Sequence, residues 1–224
     1  MNGPGVCPIL VLLCALPGFA ASTLEEALAR MDRNATTFKS VSANVRSVQY
    51  TAVIKEEDVS EGTLRLKRSR RDVQFLMEIT SPDKKSVALS GTKAQIYYPK
   101  NNTVEEYEFA KGRLEKYLAL GFGASGSELK EDYTLKDLGV EEVNGEKTVR
   151  VELIPKSAQV AQQFPKIELW LSQTTGYPVE EKLHQTGNDF YTIVYSNVMI
   201  NPALPDSSYK LNPPKGVKRV FPGK

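Results

Sequence analysis

The residues of this chain that could do chemistry are few, and their spacing does not favour catalysis. The one histidine, His184, lies on a predicted strand, and no Gly-x-Ser-x-Gly turn accompanies it to supply a nucleophile. A lone histidine does not make a metal site. Neighbouring carboxylates such as Glu105 and Glu106 point to opposite faces of a strand, so we expect solvated edges there instead of an acid/base pair. The sequence therefore predicts a protein that is not an enzyme and holds no metal or cofactor.

One glycine pattern imitates a nucleotide-binding motif. Gly121, Gly123 and Gly126 have the spacing of a dinucleotide-binding turn, but that motif must follow a strand and open a helix. Here the glycines follow a predicted helix at residues 111–120. They lie within residues 121–127, whose loose composition predicts a loop and not the start of a helix. We therefore interpret the match as accidental.

The start of the chain predicts export. An apolar run at residues 9–16 is broken by Pro17 and Gly18, and small residues at Gly18 and Ala20 fit cleavage by a signal peptidase. The run is shorter than the ~20 apolar residues that a membrane span needs, although a retained anchor is the alternative. We expect residues 1–20 to be a secretory signal peptide and the protein to reach the periplasm.

Cysteine use agrees with this prediction. Cys7 and Cys14 both lie inside the predicted signal, so the mature chain has no thiol with which to form a disulfide or a metal site. Residues 21–224 show no linker and no tandem repeat, and their length suits a single domain.

The charge balance argues against a nucleic-acid partner. The chain has 29 basic and 27 acidic residues, which give a net charge of +2. One basic cluster stands out. It either contacts lipid headgroups or an acidic partner, or it is simply a solvated face of a strand. Its members are Arg65, Lys67, Arg68, Arg70 and Arg71.

The mature chain is expected to open with a helix and continue in short strands. Leu24, Leu28 and Met31 recur at helical spacing, and Thr23 with Glu26 forms a capping box. Alternating apolar residues then predict strands. They cover residues 41–54, with a bulge or bend near 46–48, and 64–67, 73–79, 87–89, 94–98, 103–109, 133–143, 148–154, 166–171, 179–184, 190–198 and 209–211.

Two shorter features complete the prediction. Asn144-Gly145 between two strands is a strong hairpin signal, and residues 156–164 read as a weak helix or a loop that Pro165 ends. So many short strands favour a mainly antiparallel sheet that curls into a barrel or sandwich. The concave side of such a sheet is either filled by its own side chains or holds an apolar ligand under a helical cover.

Several segments resemble the LolA family of periplasmic lipoprotein carriers, and their order and spacing match over nearly the whole mature chain. The segments are EGTLRLKR at 61–68, SPD at 81–83, SG at 90–91, YYP at 97–99, LIPK at 153–156 and YKLNPPKGV at 209–217. A further stretch, ELWLSQTTGYPV at 168–179, is similar to the broader set of LolA-like lipoprotein-sorting proteins.

The resemblance implies a fold, mainly β with some α, in which an unclosed antiparallel β-barrel is capped by short helices. It also implies that the barrel holds lipoprotein acyl chains, which an inner-membrane ABC transporter delivers and an outer-membrane receptor accepts. The family's lid-fastening arginine corresponds to Arg68, whose fork of donors suits backbone carbonyl groups of the lid. We expect a monomer.

The candidates to line the cavity are apolar and aromatic residues of the predicted strands and of the segment between them. They are Leu64, Leu66, Phe75, Met77, Tyr97, Tyr107, Phe109, Leu114, Tyr117, Leu118, Phe122 and Trp170.

Two alternatives use the same scaffold. LolA-like periplasmic proteins that regulate envelope-stress sigma factors resemble the carriers and add a second domain, for which this chain looks too short after Leu211. A structural or adhesion module with a filled core is the other alternative.

Overall fold

A computed structural model describes residues 24–68, 73–108 and 120–222. Within these ranges the helices are α1 (Leu24–Thr37), α2 (Gly126–Asp132) and α3 (Ala158–Gln163), and short 3-10 turns lie at Pro99–Asn101, Thr186–Asn188 and Asp206–Tyr209. The strands are β1 (Ser40–Thr51), β2 (Glu56–Arg68), β3 (Val73–Ser81), β4 (Lys85–Ser90), β5 (Lys93–Tyr98), β6 (Thr103–Glu108), β7 (Tyr133–Val143), β8 (Glu146–Pro155), β9 (Lys166–Ser172), β10 (Pro178–His184), β11 (Phe190–Ile200) and β12 (Lys218–Val220).

All of these strands belong to one open sheet. Their order is β12-β6-β5-β4-β3-β2-β1-β11-β10-β9-β8-β7, so β12 and β7 lie at opposite edges and do not close a barrel. Neighbours pair antiparallel except β12, which runs parallel to β6. The predicted fold class, an unclosed and mainly antiparallel sheet with short helices, is confirmed.

The register divides the side chains between two faces of the sheet. Residues directly opposite one another on paired strands share a face, and Val41, Leu66, Phe75, Leu89 and Ala94 are joined in this way across five strands. We call their side the inner face, because the apolar side chains of α1 and α2 pack on it, and the other side the outer face.

Two apolar clusters fill much of the inner face. The first lies under α1 and α2 and consists of Ala27, Leu28, Met31, Leu120, Leu129, Tyr133, Val149, Val151, Leu153, Ile167, Leu169, Leu171 and Leu183. The second consists of Phe38, Val41, Ala43, Val45, Leu64, Leu66, Val73, Phe75, Leu89, Phe122 and Tyr195. Ile193 packs against both clusters and joins them. Burial of these side chains supplies the main stabilising free energy of the fold.

Local signals explain several elements. Asn144 and Gly145 both have positive φ, 52° and 81°, and this conformation produces the tight β7–β8 hairpin that the sequence predicts. The segment at 156–164, for which a weak helix or a loop was expected, contains the helix α3. Helix α1 begins at Leu24 and buries Ala27, Leu28 and Met31, as its spacing predicts. Thr23, the predicted signal peptide and most of the predicted helix at 111–120 lie outside the described residues.

The end of the chain differs from the prediction. No strand is present at residues 209–211, since Tyr209 ends a 3-10 turn instead, and the last strand is β12. Tyr209 is buried, Arg65 donates to the carbonyl oxygen of Ser208 at 3.3 Å, and Lys67 pairs with Asp206. The C-terminal segment therefore lies across the outer face of β2 and β3, and two members of the basic cluster hold it there.

Two further predictions are corrected within the described residues. The β1–β11 register shifts between Ser42 and Asn44, and the pairing is unbroken across 46–48, where a bulge or bend was expected. The expected loop at 121–127 ends in α2. Ser125 accepts from the backbone N–H of Glu128, and the Glu128 carboxylate accepts in return from the Ser125 N–H, which makes a complete capping box.

Candidate functional site

Arg68 lies at the end of β2 and fastens a loop across the inner face. Its register partner is Val73, and it follows Leu66 in the alternation, so it occupies the inner side while Arg65 and Lys67 occupy the outer side. The Arg68 guanidinium donates one hydrogen bond to the carbonyl oxygen of Gly123 and another to Glu128 at 3.1 Å. It therefore holds both the loop before α2 and the first turn of α2.

We call residues 120–125 the latch loop. Within this loop, the side chain of Phe122 is buried against two tyrosines. The Phe122 ring meets Tyr195 edge-on, with 5.0 Å between ring centroids, and stacks on Tyr177 at 6.0 Å. Gly123 has a φ of +75°, and a Cβ there would lie 2.3 Å from the ring of Phe38. Only glycine suits this close approach of the loop to the sheet.

Glu128 connects the latch loop to α2 electrostatically. Its partial burial opposes ionisation, but the hydrogen bond from the Ser125 backbone and the nearby Arg68 charge outweigh this effect and lower the Glu128 pKa. The Arg68–Glu128 pair is half-exposed, so its contribution to stability is modest, on the order of 0–1 kcal/mol. This pair therefore attaches the loop only weakly, and the buried Phe122 ring adds its contacts with the two tyrosines.

Beyond the latch loop, the inner face of β3–β5 is mainly apolar but only half-buried, and β6 adds the carboxylate of Glu105 to the same face. Met77 pairs with Val87, and Val87 pairs with Ile96, and all three keep part of their surface open to solvent. Tyr107 lies farther along the same face and donates to Glu105 at 2.8 Å. This half of the sheet offers apolar area that a ligand could cover.

Of the predicted cavity residues that the structure describes, most lie on the inner face. Leu64, Leu66, Phe75 and Phe122 meet in the second apolar cluster, and Met77 packs against it. Tyr107 shares the inner face. Phe109, Leu114, Tyr117 and Leu118 lie outside the described residues.

Tyr97 and Trp170 are placed on the outer face. Tyr97 pairs with Ser86 and Val104, one position out of step with the inner-face residues of β5. Trp170 donates to Glu141, and the Arg150 guanidinium lies over its ring at 4.9 Å. Neither side chain can line an inner cavity. The strand signal was correct in both cases, and the polar residues that alternate with Tyr97 and Trp170 were a signal for the outer side that the choice of cavity residues did not use.

A polar network surrounds Trp170 on the outer face of β8–β10. Its centre is Glu168, which accepts from Arg150, Lys166 and His184, the last at 2.7 Å. Burial opposes ionisation of Glu168, but these hydrogen bonds outweigh it and lower its pKa to about 2. The pKa of His184 is lowered chiefly by burial, and the bond to Glu168 opposes this. Both side chains are thus structural groups.

Sequence reasoning missed Glu181, a buried carboxyl on the inner face. Its register partners are Leu169 and Ile193, and it is 3% exposed. The Tyr195 hydroxyl hydrogen-bonds to it, while its Oε1 has no hydrogen-bond partner. Burial raises the Glu181 pKa to about 8, against the weaker opposing effect of Tyr195. The alternation of Val179, Glu181 and Leu183 on β10 was a signal that this glutamate faces inward.

The described residues hold neither a metal cluster nor a membrane span. Among residues 24–68, 73–108 and 120–222, no three histidine, cysteine or carboxylate side chains gather as metal ligands. In the same ranges, no helix has the length and apolar character needed to cross a bilayer.

The fold is shared with solved structures. A conserved protein from Thermus thermophilus has a TM-score of 0.53 at 12% identity, over 88% of this chain and 98% of that one. MucB has a TM-score of 0.51 at 15% identity, over 84% of this chain and 62% of MucB. A LolA superfamily protein from Nitrosomonas europaea is also similar, with a TM-score of 0.41 at 15% identity, over 84% of this chain and 98% of that one.

Sequence comparison is less informative. An uncharacterized protein from Methanocaldococcus jannaschii is 26% identical over 137 residues, which are 61% of this chain and 38% of that protein. The chain thus spans well under half of this relative and somewhat under two thirds of MucB. No family model matches the chain.

The open antiparallel sheet, with helices and a fastened loop on its inner face, is the architecture that the sequence resemblance implies. The chain shares this fold with MucB and with the Thermus thermophilus protein.

Proposed function

We propose that the protein is an exported, non-enzymatic lipid carrier that binds lipoprotein acyl chains on its inner face, beneath the latch loop. The observation that carries this proposal is the bond from Arg68 to the carbonyl oxygen of Gly123, which fastens the loop of the buried Phe122 over the second apolar cluster. The finer role is transport of lipoproteins across the periplasm, from an inner-membrane ABC transporter to an outer-membrane receptor.

The energetics suit a carrier. Each buried methylene gains about 0.8 kcal/mol, so an acyl chain of ~15 methylenes gains roughly 12 kcal/mol, which alone corresponds to very tight binding. A carrier must also release its load. If a ligand displaces the latch loop, it must break the Arg68 bonds and expose Phe122, so closing the empty protein offsets part of the binding free energy.

The apolar inner face divides this work between its two halves. The half-buried residues Met77, Val87 and Ile96 are already accessible and would contact a chain first. The second cluster, with Phe75 and Phe122 at its centre, becomes accessible only when the latch loop moves. Binding therefore proceeds from the exposed part of β3–β5 towards the latch loop.

The test compares Arg68→Leu with Arg65→Leu, which removes the same side chain from the outer side of the same strand. Purified proteins are extracted with organic solvent, bound acyl species are identified by mass spectrometry, and transfer of a fluorescent triacylated lipopeptide to acceptor vesicles is followed. We expect acyl species in the wild type and Arg65→Leu. For Arg68→Leu we expect transfer to slow at least tenfold, because an unfastened loop no longer favours release.

Two results would contradict the proposal. Absence of acyl species from the wild type, together with no uptake of the lipopeptide, would leave the inner face as a filled core. Equal transfer by the two arginine variants, with equal hydrogen exchange in the latch loop, would remove Arg68 from the mechanism. Uptake without transfer would favour the alternative of a lipid-binding regulator.

A further inference from the structure

Glu181 is out of place on an otherwise apolar surface. It lies on β10, between Leu169 on β9 and Ile193 on β11, where its neighbours are apolar. A buried polar atom without a hydrogen-bond partner is costly and calls for an explanation. Here the Oε1 atom of Glu181 is such an atom, while the other side of the carboxyl group is engaged by Tyr195.

The carboxyl group is held in position by aromatic packing. Tyr195 follows Ile193 by two residues on β11, so its hydroxyl lies diagonally beside Glu181 on the same face. The ring of Tyr195 is in turn fixed by the edge-on contact with Phe122 of the latch loop. Displacement of that loop therefore frees the ring of Tyr195, whose hydroxyl group holds Glu181.

The surroundings favour a neutral carboxyl group. Burial raises the Glu181 pKa to about 8, and the only other described influence on it is the Tyr195 hydroxyl, with no basic side chain among the causes. A neutral acid offers one O–H donor and one carbonyl acceptor. An anionic headgroup would find no counter-charge here, and a cation would lose its hydration without a fixed carboxylate to replace it.

We propose that Glu181, positioned by Tyr195, is a polar anchor inside the lipid-binding face that donates a hydrogen bond to the ester or amide carbonyl of an acyl lipid. The inference rests on the proposed function and adds the chemical class of the bound group. Acyl chains then lie on the apolar strands to either side, while the linkage that joins them to the rest of the ligand sits at Glu181.

The experiment measures the binding of two lipids that differ only in their linkage. Dipalmitoylglycerol carries ester carbonyls, and its ether analogue, di-O-hexadecylglycerol, has the same chains without them. Affinities of the purified, delipidated protein are obtained by displacement of a fluorescent acyl probe. We expect the wild type to bind the diester about tenfold more tightly, the size of one buried hydrogen bond.

Two variants separate the anchor from the packing. Glu181→Leu should lose the preference and bind both lipids alike, whereas Glu181→Gln, which keeps an N–H donor, should retain most of it. In the unaltered protein, the infrared carbonyl band of the protonated Glu181 should shift when the diester is added and stay unchanged with the diether. This last measurement decides the matter even where Glu181→Leu does not fold.

The outcomes distinguish the two proposals. Equal affinity of the wild type for both lipids, with no infrared shift, overturns the anchor and leaves the lipid carrier intact. Tighter binding of hexadecylamine than of dipalmitoylglycerol also overturns it, since Glu181 would then act as a carboxylate. Failure of the wild type to bind any of these lipids overturns the carrier and the anchor together.

Discussion

The guanidinium of Arg68 and the carbonyl oxygen of Gly123, 55 residues apart in the chain, form a hydrogen bond that joins the end of β2 to the latch loop. The bond needs an arginine that points to the inner side of its strand and a backbone that comes close enough to be reached. The second condition depends on Gly123, which has a positive φ and leaves no room for a Cβ beside the ring of Phe38. The latch therefore needs both the long, charged side chain of Arg68 and the absence of a side chain at Gly123.

Gly123→Ala should therefore open the latch without touching Arg68. The new Cβ would lie 2.3 Å from the Phe38 ring and also carries the penalty of a left-handed backbone, so we expect a loss of about 2–4 kcal/mol in the free energy of unfolding. Urea denaturation measures this loss, and hydrogen exchange should show reduced protection of residues 120–125.

Gly216→Ala is the matched control, because Gly216 has a similar φ of +80° and nothing within 4 Å of the added Cβ. It should cost about 1 kcal/mol and leave exchange in the latch loop unchanged. Equal losses in the two variants would show that the contact with Phe38 has no effect on the loop.

Alternation in the sequence predicts strands and faces more reliably than it predicts burial. On β9, Ile167, Leu169 and Leu171 face the helices, while Trp170 between them is also buried, on the other side of the sheet. Trp170 alternates with Lys166, Glu168 and Ser172, so both the strand and the outward position of Trp170 were predictable. Its burial on that side was not, because it depends on packing with Arg150 of β8, which is distant in the chain.

For the latch loop and Glu181, the sequence carried a signal, but not for the feature that matters to the site. The Ser125-x-x-Glu128 pattern is a helix-start signal that predicts α2, but the glycine-rich stretch before it suggested a loop throughout. Glu181 was predictable as an inward residue from its strand. The absence of a hydrogen-bond partner for its Oε1 atom could not be predicted, because it depends on which side chains three neighbouring strands place around the carboxyl group.

Glu168→Gln should remove part of the acid sensitivity of the protein. The folded-state pKa of Glu168 is about 2, below its usual value of 4.5, so its carboxylate stabilises the fold above pH 4.5 and loses this effect as the pH falls towards 2. We expect Glu168→Gln to be less stable than the wild type by about 1–2 kcal/mol at pH 7, allowing for screening at the half-exposed Arg150 and Lys166.

Urea denaturation at pH 7 and pH 3 measures this difference, which should shrink at the lower pH. Glu152→Gln is the control, since Glu152 faces Glu168 across the β8–β9 register and its removal leaves the three bonds to Glu168 in place. A difference between Glu168→Gln and the wild type that stays constant with pH would contradict the assignment.

The C-terminal segment should be an integral part of the domain. Tyr209 is 2% exposed on the outer face of β2 and β3, beneath Lys67, so Tyr209→Ala should destabilise the protein by about 2–4 kcal/mol. Phe221→Ala, at a side chain that is 46% exposed, should cost less than about 1 kcal/mol. Thermal and urea denaturation measure both. Comparable small losses would mean that the segment is only loosely attached.

Glu181→Gln should have the reverse pH dependence to Glu168→Gln. The folded-state pKa of Glu181 is raised from 4.5 to about 8, so the folded protein keeps a proton that the unfolded chain releases, and stability falls as the pH rises from 4.5 to 8. Glutamine cannot ionise and imitates the neutral acid. The variant should therefore match the wild type within about 1 kcal/mol at pH 4.5 and exceed it by about 3–5 kcal/mol at pH 9.

Urea denaturation at pH 4.5, 7 and 9 tests this divergence between Glu181→Gln and the wild type. Ile167→Val is a suitable control, because it alters the same inner face without a titratable group and should change stability by the same amount at each pH. Parallel pH profiles for Glu181→Gln and the wild type would mean that Glu181 is ionised in the folded protein. A buried carboxylate at that position would need a cation nearby, and the neutral anchor would then have no chemical basis.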